Sequence, residues 1–152
     1  IRVYIMITLK ELQDEWSVDC KIDELQLGKD ASKTPELHSK YLSHMSNVRL
    51  QLRKSEAALY KLRNIKAQYF RGELSKEELD ALSWDQYLGV KPLKQDLSDM
   101  LDADDDVIEQ TNKVEYLKTM ADFLERVLRS LNSRTWDIKN MIEWTKFTNG
   151  LM

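Results

Sequence analysis

The sequence predicts an all-α protein in which long helices pack as a coiled coil or bundle and short helices connect them. Two observations lead to this prediction. Gly and Pro are scarce, at four and two of 152 residues, which argues against a β fold with many turns. In addition, two long segments carry apolar residues at alternating spacings of three and four, the pattern of helices that pack along one stripe. The length fits one domain, or one domain with an oligomerising segment.

The first helix is predicted over residues 8–18. Thr8 and Glu11 have the spacing of a capping box, in which each residue satisfies a free backbone N–H group of the other. Before this helix, we expect residues 1–5 to be an upstream extension that does not belong to the native start. Residues 3–7 give the one weak strand signal in the chain.

The longest predicted helix spans residues 34–72, and the rest of the chain is expected to pack around it. Thr34 and Pro35 are typical of a helix start, Gly72 is typical of a helix end, and residues 19–33 are predicted to be a turn or short helix. Ten positions of the long helix keep heptad spacing and predict a packing seam. They are His38, Tyr41, Met45, Val48, Leu52, Ser55, Leu59, Leu62, Lys66 and Tyr69.

An acidic connector of short helices is predicted over residues 73–106. Ser75 and Glu78 form a second capping box there. The aspartate-rich segment 102–106 lacks the glycine and the final acid of a calcium-binding loop, so it is interpreted as an acidic helix cap. A second long helix follows, with a kink expected at residues 132–133. Its apolar stripe is Val107, Thr111, Val114, Leu117, Ala121, Leu124, Leu128 and Leu131.

The end of the chain, residues 132–152, is predicted to be an oligomerisation segment, distinct from a helical domain over residues 1–131. Its large apolar residues are Trp136, Ile138, Met141, Ile142, Trp144 and Phe147. They lie on more than one helical face, whereas a helix in a small bundle buries one stripe. A second subunit is the simplest cover for the other face; a ligand-binding box is the alternative.

Charge is distributed in blocks, although the net charge is only −3. Residues 37–72 carry eight Lys and Arg against one acid, and residues 73–106 carry eleven acids against three bases. Basic residues interleaved with aromatic ones favour single-stranded DNA, bound through phosphates and base stacking. The candidate DNA-binding residues are Arg53, Lys54, Tyr60, Lys61, Arg63, Lys66, Phe70 and Arg71. Arg63, Lys66 and Arg71 are expected to matter most, with the stem of Lys66 packed in the seam and its ammonium group in solvent.

Nothing in the sequence indicates catalysis, a cofactor or a metal site. His38 and His44 are six residues apart on a predicted helix and face different ways, so they cannot share a metal. The longest aliphatic run is too short to cross a membrane, and the single Cys20 excludes an internal disulfide framework. We therefore expect no enzymatic activity and no membrane partner.

Several segments in their order and spacing resemble the UvsY recombination mediators of T-even-type phages, over residues 6–150. They are Leu9–Glu15, Ser39–Leu42, Glu56–Ala57, Tyr69–Gly72, Leu101–Val107, Ser133–Arg134 and Ile138–Lys139. The resemblance implies a ring-like homo-oligomer, hexameric or heptameric, that binds single-stranded DNA in the cytoplasm of the infected host cell. It also implies two protein partners: a RecA-like recombinase and the single-strand binding protein that this recombinase replaces on DNA.

The resemblance also carries a Lys-x-Arg pair that contributes to DNA binding in the family. By register the pair falls on Asn64 and Lys66, so one of its two charges is missing here, with Lys61 and Arg63 as substitutes nearby. An alternative function stays open: a non-catalytic coiled-coil scaffold or assembly chaperone without nucleic-acid binding. In that case the basic block of one subunit would pair with the acidic block of another.

Overall fold

Five α-helices account for most of the chain in the computed structural model, which describes residues 7–150. They are α1 (Leu9–Asp19), α2 (Leu27–Phe70), α3 (Lys76–Leu82), α4 (Lys94–Asp102) and α5 (Asp105–Thr148). Within those residues there is no strand, and the all-α prediction is confirmed. The weak strand expected at residues 3–7 lies almost wholly outside the described part of the chain.

The predicted helix caps are present. Thr8 Oγ1 accepts a hydrogen bond from the Glu11 backbone N–H at 3.1 Å, and the Glu11 carboxylate accepts one from the Thr8 N–H at 3.0 Å. Ser75 and Glu78 exchange the same two bonds at 3.2 and 2.9 Å. Asp104 accepts from the Val107 N–H at 3.1 Å, which confirms the aspartate-rich segment as a helix cap.

The start of α2 differs from the prediction, because the helix begins at Leu27 and contains Pro35 in its interior. Interior proline costs about 3 kcal/mol, so the preceding turns need support from elsewhere. One tertiary contact there is the buried guanidinium of Arg134 on α5, which donates to the backbone carbonyls of Cys20 and Asp30, each at 3.5 Å. A partner about a hundred residues away cannot be read from the local Thr-Pro pattern.

Residues 132–133, where a kink was expected, lie within α5, which is a single helix from Asp105 to Thr148. Both residues are exposed, and the Ser133 hydroxyl donates to the Ser130 carbonyl at 3.0 Å without interrupting the helix. The kink itself stays a prediction.

The chain forms two compact units, and each long helix contributes residues to both. The first unit contains residues up to 48 and from 119 onward. There α1 runs antiparallel to α2: Asp19 contacts Lys40 and Tyr41, and Glu15 lies 3.2 Å from His44. Its buried core includes Leu12, Tyr41, Met45, Val48, Met120, Leu124, Val127, Leu131 and Ile138.

The second unit contains residues 49–118. The α2 residues in it pack antiparallel to the start of α5, because the Gln110 side chain donates to the Ser55 carbonyl at 3.0 Å while Lys66 pairs with Asp104. Its buried residues are Lys66, Ala67, Leu101, Val107, Val114 and Leu117.

The predicted seam is confirmed, since all ten of its positions are buried or half-buried, in one unit or the other. The predicted boundary between residues 131 and 132 stays a prediction. In the described range, no helix is both long enough and apolar enough to cross a membrane.

Candidate nucleic-acid interface

All eight predicted DNA-binding residues lie in the second unit, and the structure divides them into two groups. One group is exposed on α2 and has no charged partner. The other is engaged in ion pairs or in aromatic packing within the unit.

The exposed group forms one side of α2. Arg53, Lys54 and Lys61 are exposed, and no carboxylate of the described residues pairs with them. Tyr60 is 80% exposed, so its ring is free to stack on a base. Positions 53, 57, 60 and 64 follow helical spacing and share a face, with Lys54 and Lys61 beside them.

Arg49 belongs to the same surface, although it was not among the predicted residues. It is exposed, precedes Arg53 by four residues, and has no ion-pair partner in the described chain. The four-residue spacing in the sequence could have identified it. We name Arg49, Arg53, Lys54, Tyr60 and Lys61 the basic face.

The cations of the second group are neutralised by nearby acids. Arg63 lies 2.8 Å from Asp102, with side chains 35% and 63% exposed respectively. Arg71 is half-buried and lies 3.3 Å from Glu73, two residues further along the chain. These pairs are open to solvent, so water and salt screen them.

Lys66 is different because it is buried. Its ammonium group lies 2.7 Å from Asp106 and 3.2 Å from Asp104, and 4.6 Å from the centre of the Trp84 ring. The residue is only 7% exposed, so the expectation that its charged head reaches solvent is wrong, although its stem packs in the seam as predicted. Burial lowers the pKa of Lys66, but the hydrogen bonds that its ammonium group donates to Asp106 and Asp104 outweigh this effect and raise the pKa overall.

Phe70 is half-buried in an aromatic cluster of Tyr69, Phe70, Trp84 and Tyr87. Its ring centre lies 5.2 Å from that of Tyr87 and 5.6 Å from that of Tyr69. The Tyr69 hydroxyl donates to the Asp85 carbonyl at 2.7 Å and ties the loop after α3 to the end of α2. Of the two predicted stacking residues, Tyr60 therefore has the more accessible ring.

The predicted oligomerisation residues lie in the first unit and also fall into two groups. Trp136, Trp144 and Phe147 are between 64% and 66% exposed, and the last two stack with ring centres 5.8 Å apart. Ile138 is 2% exposed and belongs to the core. The other two, Met141 and Ile142, are half-buried.

The described residues contain no cluster of three or more His, Cys, Asp or Glu side chains that could hold a metal ion. The chemistry that the basic face offers is carried by its unpaired cations and by the exposed ring of Tyr60. That combination suits a polyanion with bases that can stack.

Comparison with known proteins gives concordant results. The family model described as "Recombination, repair and ssDNA binding protein UvsY" matches residues 15–151. The recombination protein uvsY of Enterobacteria phage T4 is 27% identical over 142 residues, which covers 93% of this chain and 98% of the relative.

Crystal structures of the bacteriophage T4 recombination mediator protein UvsY share the fold. Lattice type II superposes with a TM-score of 0.80 at 24% identity, covering 94% of this chain and 98% of that one. Lattice type IV gives a TM-score of 0.81 at 23% identity, covering 93% and 99%.

Proposed function

Because this chain belongs to the UvsY family of recombination, repair and single-stranded DNA binding proteins, we propose that it binds single-stranded DNA through the basic face and acts as a recombination mediator. The observation that carries the proposal is the set of four unpaired cations around the exposed Tyr60 on one side of α2. A helix face that is merely exposed to solvent usually carries both signs of charge, because opposite charges four residues apart stabilise the helix.

Binding through this face is driven by the DNA backbone. Each phosphate that Arg49, Arg53, Lys54 or Lys61 neutralises releases condensed counterions, and Tyr60 adds stacking on any base. Phosphate contacts and stacking carry little information about the base, so sequence preference is weak. Arg63, Phe70 and Arg71 contribute secondary contacts, whereas Lys66 holds the end of α2 against the start of α5.

The functional form is a ring-like homo-oligomer, hexameric or heptameric. The exposed rings of Trp136, Trp144 and Phe147 support this, because monomeric soluble proteins rarely leave a large apolar patch open to solvent. Met141 and Ile142, half-buried on the same stretch of α5, extend the interface. Several weak DNA sites in one ring add up to a strong one, because each bound site raises the local concentration of the strand at the next.

The mediator role follows from a surface of many weak contacts. A strand held at several basic faces stays bound while a single-strand binding protein leaves, and is then released site by site to a RecA-like recombinase. The acidic connector, which repels DNA, is the surface for these protein partners. The protein has no catalytic activity of its own and works in the cytoplasm of the infected host cell.

The scaffold alternative has a weaker basis. It requires that the acidic block of one subunit neutralise the basic block of another. Asp102, Asp104, Asp106 and Glu73 pair with cations of their own unit, which leaves only the other seven of the eleven acids for such an interface. The basic face stays unpaired, which favours an external anion.

A salt titration with fluorescently labelled oligothymidylate tests the proposal. Fluorescence anisotropy should give an affinity that falls steeply between about 50 and 300 mM salt, since each phosphate contact adds ~0.7 to the slope of log affinity against log salt. The triple variant R53A/K54A/K61A should lose most of this slope. A matched control, K91A/K94A/K113A, removes three exposed lysines elsewhere in the second unit and should bind nearly as well as wild type.

Binding that ignores salt, or equal losses in the two triple variants, would contradict the role of the basic face. A mediator should shorten the lag before a recombinase begins to hydrolyse ATP on DNA that is coated with single-strand binding protein. If the protein binds DNA but leaves this lag unchanged, the binding activity stands and the mediator role is wrong.

A further inference from the structure

The Arg63–Asp102 pair is the one ion pair of the predicted DNA-binding residues that joins two helices and is open to solvent. Asp102 ends α4 and places its carboxylate 2.8 Å from the Arg63 guanidinium on α2. The carboxylate is 63% exposed and the guanidinium 35% exposed. A dissolved anion can therefore reach the same guanidinium edge that Asp102 occupies.

We propose that Asp102 is an intramolecular competitor of the DNA phosphate at Arg63, which lowers the affinity for single-stranded DNA and speeds its release. The inference rests on the proposed function, because it concerns an additional residue at the same DNA-binding surface. It assigns to the acidic end of α4 a direct effect on how DNA is held.

The chemistry of the two anions makes the exchange possible. A guanidinium group binds carboxylate and phosphate oxygens with the same planar set of N–H donors, so one replaces the other without rearrangement of Arg63. Exposed ion pairs contribute little to stability, so breaking this one does not disturb the fold. The buried pair of Lys66 with Asp104 cannot exchange in this way, since both side chains are about nine-tenths buried.

Tethering gives Asp102 an advantage when DNA leaves. Because α4 holds the carboxylate beside Arg63, its effective concentration there is high, and it recaptures the guanidinium as soon as a phosphate moves away. A strand bound at many subunits would then lose contacts one at a time. Arg63 thus provides a contact that is made readily and lost readily.

The test is a charge-matched comparison of Asp102→Asn with Asp99→Asn. Asp99 lies on α4 three residues before Asp102, is exposed, and has no ion-pair partner in the described chain. Both changes remove one negative charge. Only Asp102→Asn should free Arg63, steepening the salt slope for labelled oligothymidylate by ~0.7 and lowering the dissociation rate several-fold in stopped-flow measurements.

A double-mutant cycle with Arg63→Gln separates competition from the general field. In the Arg63→Gln background, Asp102→Asn should bind no more tightly than Asp99→Asn does, with circular dichroism confirming helical content throughout. Equal gains from Asp102→Asn and Asp99→Asn, or a gain from Asp102→Asn that survives Arg63→Gln, would overturn the inference. These results leave the proposed function intact, because that function is tested separately, by the salt titration of the triple variants and by the recombinase assay.

Discussion

The ammonium group of Lys66 lies 2.7 Å from the carboxylate of Asp106, so a side chain predicted to contact DNA is neutralised inside its own unit. Asp104, 3.2 Å away, completes the cluster at the first turn of α5. The second unit therefore uses its basic residues for two purposes: Lys66 ties α2 to α5, and the basic face remains free.

Replacing Lys66 with alanine should destabilise the protein more than it weakens DNA binding. Breaking a buried ion pair costs about 3–5 kcal/mol, and since Asp106 is half exposed we expect the lower end, roughly 3 kcal/mol. Urea unfolding followed by circular dichroism measures this loss. Lys61→Ala is the matched control, because its exposed lysine should change stability by less than about 0.5 kcal/mol while reducing DNA affinity. A stable Lys66→Ala protein with severely weakened binding would assign Lys66 to the DNA instead.

Adding a cation at Asn64 should tighten DNA binding. Asn64 is exposed on α2, four residues after Tyr60 and on the same helical face. Asn64→Lys should raise the salt slope by ~0.7 through one further phosphate contact. Asn112→Lys adds the same charge at an exposed position of α5 and serves as the control. The basic face would be misplaced if both variants gained equally in a salt titration.

Tyr60 should act through its ring rather than its hydroxyl group. With 80% of the residue exposed, removal of the ring costs no core packing, and Tyr60→Ala should lose ~1–3 kcal/mol of binding to single-stranded DNA. Tyr60→Phe keeps the stacking surface and should bind like wild type. Anisotropy titrations of the two variants at one salt concentration decide the matter. Equal weakening in both would point to a hydroxyl contact, and no change in either would remove Tyr60 from the interface.

The stability of the first unit should depend on pH through Asp19. Burial raises the pKa of this carboxyl, but hydrogen bonds from Lys40 at 2.7 Å and Tyr41 at 2.8 Å outweigh it and hold the pKa below its usual 3.8. The unfolded chain therefore binds the proton more readily. The stabilisation is complete above the unfolded pKa and is lost as pH falls through the folded one.

The measurement is urea unfolding from about pH 5 down to about pH 3, comparing wild type with Asp19→Asn. The wild-type midpoint should fall more steeply, while the variant starts lower and changes less. Asp30, whose pKa is also lowered, chiefly by a hydrogen bond from the Asp23 backbone, leaves a residual slope in both proteins. Parallel curves for the two proteins would rule out Asp19 as a source of the pH dependence.

Periodicity and capping signals predicted most of the fold because they depend on near neighbours. The seam of α2 and the capping boxes at Thr8 and Ser75 are patterns of residues only three or four positions apart, so the sequence alone predicts the structure that they form. The early start of α2 and the burial of Lys66 involve contacts with side chains far along the chain, Arg134 and the start of α5. Charge counting identified a basic helix. Only the three-dimensional structure shows which of its cations are free to bind DNA and which are paired with acids of the same unit.

Exposed aromatic side chains on α5 should hold the oligomer together, and the structure determines how this is best tested. Ending the chain at Leu131 would remove Arg134 and Ile138, which are buried in the first unit, so loss of assembly could follow from unfolding alone. The double change Trp144→Ser and Phe147→Ser removes only exposed rings. An aromatic side chain buries ~150–250 Å² at ~25 cal/mol per Å², and about two-thirds of each ring is still exposed, so the pair contributes roughly 5–8 kcal/mol per subunit before entropy costs.

Sedimentation velocity of this double variant should show a monomer or small species with unchanged helical content. DNA affinity should fall by at least tenfold, since linked sites no longer reinforce one another. Lys146→Ser, an exposed substitution between the two aromatic positions, should leave the assembly intact. If the double variant keeps its full size, the exposed aromatic rings face solvent or another partner, and the subunits must meet through a different surface.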